Sequence, residues 1–231
     1  MKVILTNDDG IDAPGLETLQ KCIQNEGQIV IVAPTKPQSG IGHKVTTRSP
    51  IQVNKLGLNR YSVEGTPADC SRIALKQLVP DADWLIAGIN PGANLGSDVY
   101  NSGTVAAARE AAILGFRSIS ISQYVAKDQQ IDWKITGYHA AAVLKMLMGK
   151  NIEPSYFWNV NLPHPLYNYF EIPVGFCGLD TNPHKYKYVI NKDEYIYSGS
   201  IHERPRNTGT DVAVCFDERK ISITKIAVGN T

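Results

Sequence analysis

Two adjacent acidic residues, Asp8 and Asp9, carry the strongest chemical signal in the sequence, and they follow a short apolar run at residues 3–6. Neighbouring side chains on a strand point to opposite faces, so the two carboxylates converge only where the chain turns, and Gly10 permits a turn. Two carboxylates held together repel each other and need a cation to stay ionised. The alternative is that Asp8 belongs to an Asx-turn and Asp9 caps the next helix. Their position at the end of a predicted strand favours a cation site.

Polar side chains follow two further predicted strands, at residues 29–33 and 84–87. The loops after these strands carry Gln38, Ser39, Gly40, Gly42 and His43 in the first case, and Asn90, Asn94, Asn101, Ser102 and Thr104 in the second. Ligands of an open α/β sheet bind beyond the carboxyl ends of its strands, so we expect these side chains to share one rim with Asp8 and Asp9. Oxygen donors without a Cys–His cluster suit hard divalent cations such as Mg²⁺, Mn²⁺ or Ca²⁺.

The loop at residues 88–103 is too long and too polar to be a plain connector. It leads to Thr104, which is predicted to cap a helix whose free backbone amides suit a phosphate group. His43 is predicted either to support this site or to contact a substrate, with a solvated imidazole as an equal alternative because no acid stands at a recognisable offset. Glu110 is expected to be a solvated or salt-bridged residue of a helix face, and Arg204 is expected to be a surface charge.

Two common catalytic motifs are missing from the sequence. It contains no G-x-S-x-G segment, so a nucleophilic serine is weakly supported. The first strand is followed by Asp-Asp-Gly rather than by G-x-G-x-x-G, so a nicotinamide cofactor is not expected.

The elements that would position these residues alternate between strand and helix over the first 150 residues. Apolar runs predict strands at 3–6, 29–33, 84–87 and 119–122, and helical spacing predicts helices at 16–23, 66–78, 105–114 and 133–148. Thr66, Pro67 and Asp69 form a helix start, and Gly115 stands where a helix ends. Such alternation implies parallel strands with helices on both faces. The predicted fold class is therefore α/β, a doubly wound, mostly parallel, Rossmann-like sheet.

The chain is predicted to be a single α/β domain, with a core at residues 1–150 and an irregular β-rich annex at residues 151–231 that supplies oligomer contacts. Helical periodicity is absent from the annex, while a hairpin is predicted around residues 191–194 and a last strand at residues 221–226. Residues 44–63 of the core predict paired strands or a hairpin arm. The tyrosines that cluster in the annex are Tyr167, Tyr169, Tyr186, Tyr188, Tyr195 and Tyr197.

Composition excludes several classes of protein. Lys plus Arg number 23 against 22 Asp plus Glu over 231 residues, so nothing suggests a nucleic-acid scaffold. No apolar run approaches the roughly 18 residues that a membrane span needs. The first apolar stretch is too short for a secretion signal, and the four cysteines lie far apart without a C-x-x-C pair. We therefore expect a cytoplasmic protein with reduced thiols.

The order of six short motifs makes the sequence resemble the SurE family of survival-protein nucleotidases and acid phosphatases. The motifs are TNDDGI at residues 6–11, QSG and GH at residues 38–40 and 42–43, GTPADC at residues 65–70, GINPGANLG at residues 88–96 and SGTVAA at residues 102–107. Each motif is weak alone, but together they span most of the first 125 residues. Beyond residue 150 the likeness thins to NVNLP at residues 159–163 and to isolated positions after it.

The resemblance implies both an activity and a set of site residues. The implied activity is hydrolysis of nucleoside monophosphates to nucleoside and phosphate by a water that a divalent metal ion, Mg²⁺ or Mn²⁺, activates. The implied metal ligands are Asp8, Asp9, Ser39 and Asn90, of which Asp8 and Asp9 are also catalytic. The implied phosphate-binding residues are Asn94, Ser102, Gly103 and Thr104. We also expect a homo-oligomer, either a dimer or a tetramer.

Two alternative functions stay open at this point. In the first, Asp8 is a covalent nucleophile, as in haloacid-dehalogenase-like phosphatases, although those enzymes use D-x-D and the acids here are adjacent. In the second, the protein is a non-catalytic module that binds a nucleotide with Mg²⁺. Aspartyl-phosphate trapped at Asp8 would favour the first alternative, and nucleotide binding without turnover would favour the second.

Overall fold

A computed structural model describes residues 1–164 and 171–229, and a nine-stranded sheet forms the centre of this part of the chain. Two tyrosines of the annex cluster, Tyr167 and Tyr169, lie outside the described residues. The strands of the sheet are β1 (Lys2–Thr6), β2 (Gln28–Pro34), β3 (Val53–Gly57), β4 (Arg60–Val63), β5 (Trp84–Pro91), β6 (Arg117–Gln123), β7 (Tyr156–Leu162), β8 (Val174–Phe176) and β11 (Ile221–Ala227). A separate antiparallel hairpin consists of β9 (Tyr188–Asn191) and β10 (Glu194–Tyr197).

The strand order in the sheet is β3-β4-β2-β1-β5-β6-β7-β11-β8. Strands β4, β2, β1, β5, β6 and β7 are mutually parallel, whereas β3 and β11 run antiparallel to their neighbours β4 and β7. The chain builds outward from β1 through β2 in one direction and from β5 through β6 in the other. The switch point of the sheet therefore lies between β1 and β5, which is where a doubly wound fold binds its ligands.

Helices cover both faces of this sheet. They are α1 (Pro14–Ile23), α2 (Pro67–Ile73), α3 (Gly103–Ile113), α4 (Trp133–Met148) and α5 (Asp211–Phe216). Helices α1 and α4 pack on one face with Val3 and Leu5, while α2 and α3 pack on the other face with Ile4. Alternate residues of one strand thus enter different cores, as the two-residue period of a strand requires. This arrangement confirms the predicted doubly wound, mostly parallel α/β class.

Local sequence signals place most of these elements where they were predicted. Thr66 and Asp69 form a reciprocal capping box at α2, and a short π-helical segment continues that helix to Leu78. Helix α4 has the predicted bounds, and Gly115 takes a positive φ of 87° directly after α3. Within residues 44–63 only 53–63 form the expected hairpin, because β3 and β4 are the paired strands.

Two expectations about helices are wrong. The cap of α3 is Ser102, whose Oγ accepts a hydrogen bond from the Val105 amide at 3.1 Å, while Thr104 lies inside the helix and uses its hydroxyl elsewhere. The annex is not free of helix, because α5 packs beside β11. A helix of six residues is too short to produce a readable apolar period.

The hairpin predicted around residues 191–194 is present as β9 and β10, and the last strand, β11, pairs with β7. No helix in the described parts of the chain is long and apolar enough to cross a membrane.

Candidate functional site

A tight turn after β1 aims Asp8 into the molecule. The Asn7 side chain makes this turn, since its Nδ2 donates to the Gly10 carbonyl at 2.9 Å and its Oδ1 accepts from the Gly10 amide at 3.2 Å. Gly10 has a φ of +105°, which an L side chain rarely adopts. The cap of α1 is Ala13, without a side-chain hydrogen bond. Asp8 thus lies within an Asx-type turn, although Asn7 supplies the side chain of that turn, and the expectation that Asp9 caps the next helix is wrong.

Helix α3 holds the Asp8 carboxylate in place. The Thr104 hydroxyl donates a hydrogen bond to Asp8 Oδ1. Gly103 lies so close that a Cβ there would stand 2.8 Å from Asp8 Cβ and 3.0 Å from Asp8 Oδ2. The backbone of Asp8 is also fixed, because its carbonyl accepts from the Gln38 amide at 2.7 Å. Asp8 is 5% exposed. Its contacts connect the turn after β1 to the loop after β2 and to the start of α3.

Burial shifts the pKa values of both acids upward. Burial raises the pKa of Asp8, against the opposing effect of the Thr104 hydrogen bond. Burial and the neighbouring Asp8 charge raise the pKa of Asp9 to about 6. Asp9 Oδ2 is buried and has no hydrogen-bond partner among the described residues. A buried carboxylate oxygen without a donor, beside a second carboxylate, is a group that a cation would satisfy.

Of the other two implied metal ligands, Ser39 lies on the loop after β2 and Asn90 lies near the end of β5. Ser39 is exposed and directly follows Gln38, which binds the Asp8 backbone. Asn90 stands near the end of β5, where its Nδ2 donates to the Gly92 carbonyl at 2.7 Å. No group of three or more His, Cys, Asp or Glu side chains in residues 1–164 and 171–229 is arranged to hold a metal. The candidate set instead combines two carboxylates with a hydroxyl and an amide, and oxygen donors of this kind fit Mg²⁺ or Mn²⁺.

The first turn of α3 forms the candidate phosphate site. The amides of Gly103 and Thr104 belong to the first turn, where backbone N–H groups have no partner within the helix. Such amides at the positive end of a helix dipole attract an anion. Ser102 lies beside them, with its Oγ engaged by the Val105 amide.

Asn94, the remaining implied phosphate ligand, is buried in a hydrogen-bond network with β6 and β7. Its Nδ2 donates to Ser122 Oγ at 2.8 Å, and its backbone amide donates to Asn161 Oδ1 at 2.8 Å. Its carbonyl accepts from both Asn159 and Asn161. Sequence reasoning missed these three partners as site-supporting residues. Their signal was polar side chains at alternate positions of otherwise apolar strands.

His43 has an acid partner that the sequence did not indicate. Its Nε2 lies 2.7 Å from Glu110 Oε2, and Arg72 Nε donates to Glu110 Oε1 at 2.5 Å. The Glu110 side chain is 2% exposed, so it is salt-bridged as expected but not solvated. Burial alone would raise the pKa of Glu110, yet the hydrogen bonds from His43 and Arg72 together lower it. The contact between His43 and Glu110 connects the loop that carries Ser39 to helix α3.

Residues of the annex brace the loop at residues 92–102 from the other side. Asp211 Oδ2 accepts from the Gly96 amide at 2.7 Å, and its Oδ1 accepts from the Asp180 amide at 2.8 Å. Arg204 is buried and donates to the Leu95 carbonyl at 3.0 Å and to Asp98 Oδ2 at 2.7 Å. The expectation that Arg204 is a surface charge is wrong, because these acceptors lie more than 100 positions earlier and leave no local pattern.

Comparison with known proteins supplies independent findings. The model of the family described as survival protein SurE matches residues 3–180. A Synechocystis protein named "Putative 5'-nucleotidase alr3139" is 46% identical over 228 residues, covering 99% of this chain and 100% of the relative. A 5'-nucleotidase SurE from Aeromonas hydrophila is 35% identical over 245 residues, covering 100% of this chain and 94% of the relative. The crystal structure of the SurE protein from Aquifex aeolicus matches with a TM-score of 0.87 and 28% identity, covering 100% of this chain and 95% of that chain.

The fold is that of an α/β protein whose candidate site lies at the switch point of a doubly wound sheet. The family model extends over most of the chain, and full-length relatives share more than a third of its residues. The chain belongs to the SurE family.

Proposed function

We propose that the protein is a divalent-metal-dependent 5'-nucleotidase that hydrolyses nucleoside monophosphates to nucleosides and phosphate. The observation that carries the proposal is the pair of the buried Asp8 and the partly buried Asp9, in which Asp9 Oδ2 is unpartnered among the described residues and Asp8 is held against the start of α3. Two adjacent carboxylates favour a cation, and the amides at the start of α3 suit a phosphoryl group, so both features support this function. Relatives named 5'-nucleotidase SurE support the choice of substrate class.

One divalent ion, Mg²⁺ or Mn²⁺, is the proposed cofactor, and its proposed ligands are Asp8, Asp9, Ser39 and Asn90. When bound, an ion of this kind polarises a phosphoryl oxygen and lowers the pKa of a bound water. The all-oxygen donor set supports a hard cation rather than zinc, which prefers nitrogen and sulfur ligands.

The two acids have different proposed tasks. Asp9 orients the attacking water, because its Oδ2 has no partner among the described residues, whereas Asp8 Oδ1 already accepts from Thr104. Asp8 fixes the geometry of the site relative to α3. The groups proposed to stabilise the charge of the phosphoryl oxygens are the amides of Gly103 and Thr104 and the side chains of Ser102 and Asn94.

Phosphate release from nucleoside monophosphates tests the proposal. We expect the purified protein to release phosphate from AMP with Mg²⁺ or Mn²⁺, to lose this activity in EDTA, and to recover it when the metal is restored. Asp8→Asn should lower kcat by about 100-fold or more, because it removes one charge from the pair that holds the ion. Asp81→Asn is the matched control, since Asp81 is an exposed acid before β5, at the opposite end of the sheet.

Other outcomes would replace the proposal with one of its alternatives. Stabilisation of the fold by AMP and Mg²⁺ without phosphate release would indicate a nucleotide-binding module. An acid-quenched phosphoprotein that disappears in Asp8→Asn but persists in Asp9→Asn would indicate a covalent aspartyl-phosphate. Undiminished activity of Asp8→Asn would refute the metal assignment.

A homo-oligomer, either a dimer or a tetramer, is also proposed, with the β9–β10 hairpin as its contact. Apolar side chains cover both faces of this hairpin and are 49–67% exposed, namely Tyr188, Val189, Ile190, Tyr195, Ile196 and Tyr197. A two-stranded hairpin without further support is marginally stable in water, and clustered exposed apolar residues mark interaction surfaces.

A cytoplasmic location is proposed as well. All four cysteines are free thiols, and burial raises the pKa of each, in the case of Cys22 to about 11. Inert, unpaired thiols are typical of proteins in reducing compartments.

A further inference from the structure

A cleft opens directly beside the candidate metal site, on the α1–α4 face of the sheet. It has a volume of about 340 Å³ and lies between the turn after β1, the loop after β2, the end of β5 and the first residue of α4. Asp9 lines it, and so does Pro91, the neighbour of Asn90. Its volume falls in the range of about 300–1,000 Å³ that small-molecule sites occupy. The cleft is therefore continuous with the site that the proposed function uses.

The walls of this cleft are mostly rigid and apolar. The residues that line it include Pro14, Pro37 and Pro91, together with the aromatic residue Trp133. Trp133 is the first residue of α4, and the Asp132 carboxylate fixes this turn by accepting from the amides of Lys134 and Ile135. The indole is close to α1, because a Cβ at position 15 would stand 3.1 Å from Trp133 Cη2. A preformed aromatic wall of this kind is suited to stacking of a flat heterocycle.

The cleft and the candidate phosphate site lie on opposite faces of the sheet, at its carboxyl edge. The candidate phosphate site is at the start of α3, on one face of the sheet, and the cleft lies beside α1 and α4, on the other face. A nucleoside monophosphate bound to both would cross the carboxyl edge of β1 and β5, with its phosphorus next to Asp8 and Asp9. Ligands of doubly wound sheets lie in this crevice.

A second cavity of about 360 Å³ lies on the other side of the loop after β2. The described residues that line it include Lys36, Lys44 and Glu64 but no aromatic ring, and neither Asp8 nor Asp9 is among them. A charged cavity without a stacking surface suits an anion better than an uncharged base. The first cleft is the better candidate for the base, because it contains an aromatic ring and because Asp9 lines it.

We infer that the cleft beside Asp9 binds the nucleoside part of the substrate, with the base stacked on Trp133. The inference rests on the proposed function and makes Trp133 a residue that sets preference for nucleotides over phosphate esters without a base. Since stacking requires a ring rather than a particular polar pattern, the cleft favours a base as a class, and purines before pyrimidines because their stacking surface is larger.

Direct binding of adenosine, without phosphate and without metal, is the first test. The protein has three tryptophans, of which Trp84 is 0% exposed and Trp158 is 7% exposed, so Trp133 is the one that a soluble ligand reaches. Adenosine should quench the tryptophan fluorescence with saturation, ribose should not, and Trp133→Phe should abolish the quenching signal. Fluorescence that does not respond to adenosine would overturn the inference.

Kinetic variants are the second test. Trp133→Ala should raise KM for AMP about 10-fold with kcat changed less than about twofold, and should leave ribose 5-phosphate hydrolysis unaffected. Trp133→Phe should keep most of the affinity for AMP, and Trp133→Leu, which retains apolar volume without a ring, carries the test if Trp133→Ala fails to fold. Tyr138→Ala is the matched control, because Tyr138 is an exposed aromatic residue of the same helix outside this cleft.

The two proposals fail in different ways. Saturable quenching by adenosine without any phosphate release would refute the nucleotidase and leave the nucleoside cleft standing. Phosphate release from AMP with an unchanged KM in Trp133→Ala and Trp133→Leu would refute the cleft and leave the nucleotidase standing.

Discussion

Asp8 and Asp9 are neighbours in the chain, yet their surroundings give them different properties at the scale of single residues. Asp8 is 5% exposed and accepts a hydrogen bond from Thr104, so its position is fixed before any ligand binds. Asp9 keeps a buried oxygen without a partner among the described residues, and its pKa is raised to about 6. One acid is thus a fixed anchor, and the other is the group whose charge a cation would stabilise. Acids with perturbed pKa values that line a cleft are candidates for functional residues.

Glu110→Gln tests whether the buried contacts of Glu110 to His43 and Arg72 stabilise the fold. The substitution should reduce the free energy of unfolding by about 1–3 kcal/mol at pH 7, since it removes the carboxylate charge and leaves only one of the two acceptor oxygens. The folded state lowers the pKa of Glu110 from 4.5, so its stabilisation is present above that value and disappears as the pH falls through the lowered pKa. Urea unfolding at several pH values should therefore show that the free energies of unfolding of the variant and of the wild type become more similar as the pH falls.

Glu17→Gln is the control for this measurement, because Glu17 pairs with Lys21 on an exposed helix surface. It should leave the urea midpoint unchanged. A Glu110→Gln variant that is as stable as wild type at pH 7 would contradict the conclusion that the contacts of Glu110 to His43 and Arg72 stabilise the fold.

Long-range pairs explain what sequence reasoning missed among single residues. Asp8, Asp9 and Asn90 could be singled out because each follows a predicted strand, and the topology of the sheet then brings strand ends together. Glu110 could not be assigned to His43, because 67 positions separate them and neither residue has a local pattern. The partners of Arg204, Leu95 and Asp98, are equally distant in the sequence, so its burial could not be predicted. Side-chain partners across the fold depend on packing that a single sequence does not display.

At the scale of elements, local sequence signals such as capping residues and terminal glycines were enough to predict most of the helices. Helix α4 combines an Asp132 cap with a terminal glycine, and α2 combines a capping box with a proline at its first turn, so both could be located. The start of α3 was misplaced because Ser102 and Thr104 are both hydroxyl residues that can cap, and the choice between them depends on the Asp8 contact. Helix α5 was missed because six residues give no period.

Gly15→Ala tests how closely α1 must approach β5. Alanine is normally the better helix residue, but a Cβ at position 15 would overlap the Ile89 carbonyl oxygen. We expect the variant to lose about 1–3 kcal/mol of unfolding free energy, because helix and strand must separate to make room. Its melting temperature, measured by circular dichroism, should fall below that of wild type. Gly178→Ala is the control, since a Cβ there meets nothing within 4 Å, and equal melting temperatures for both variants would refute the close approach.

At the scale of the whole molecule, the annex has two separate relations to the rest of the chain. Its strands β8 and β11 extend the central sheet, and Asp211 and Arg204 brace the loop that leads to α3. The β9–β10 hairpin belongs to a different sheet, and its residues are exposed. An apolar element that contributes nothing to the central sheet but remains folded needs another surface to cover it. A second copy of the chain is the proposed cover.

The combined substitution Ile190→Lys and Ile196→Lys tests this proposed contact, because it places charges on both faces of the hairpin without touching the candidate site. Light scattering coupled to size-exclusion chromatography should give a dimer or tetramer mass for wild type and a lower mass for the double variant. Asp193→Lys is the matched control, because it changes the net charge by the same two units at the hairpin turn. It removes no apolar side chain, so a lower mass in the double variant alone indicates loss of apolar contact rather than charge repulsion. A double variant with the wild-type mass would move the subunit contact elsewhere. A wild-type protein that is monomeric at every concentration would refute the proposed oligomer. The tyrosines and isoleucines of the hairpin would then be exposed to water in the native protein.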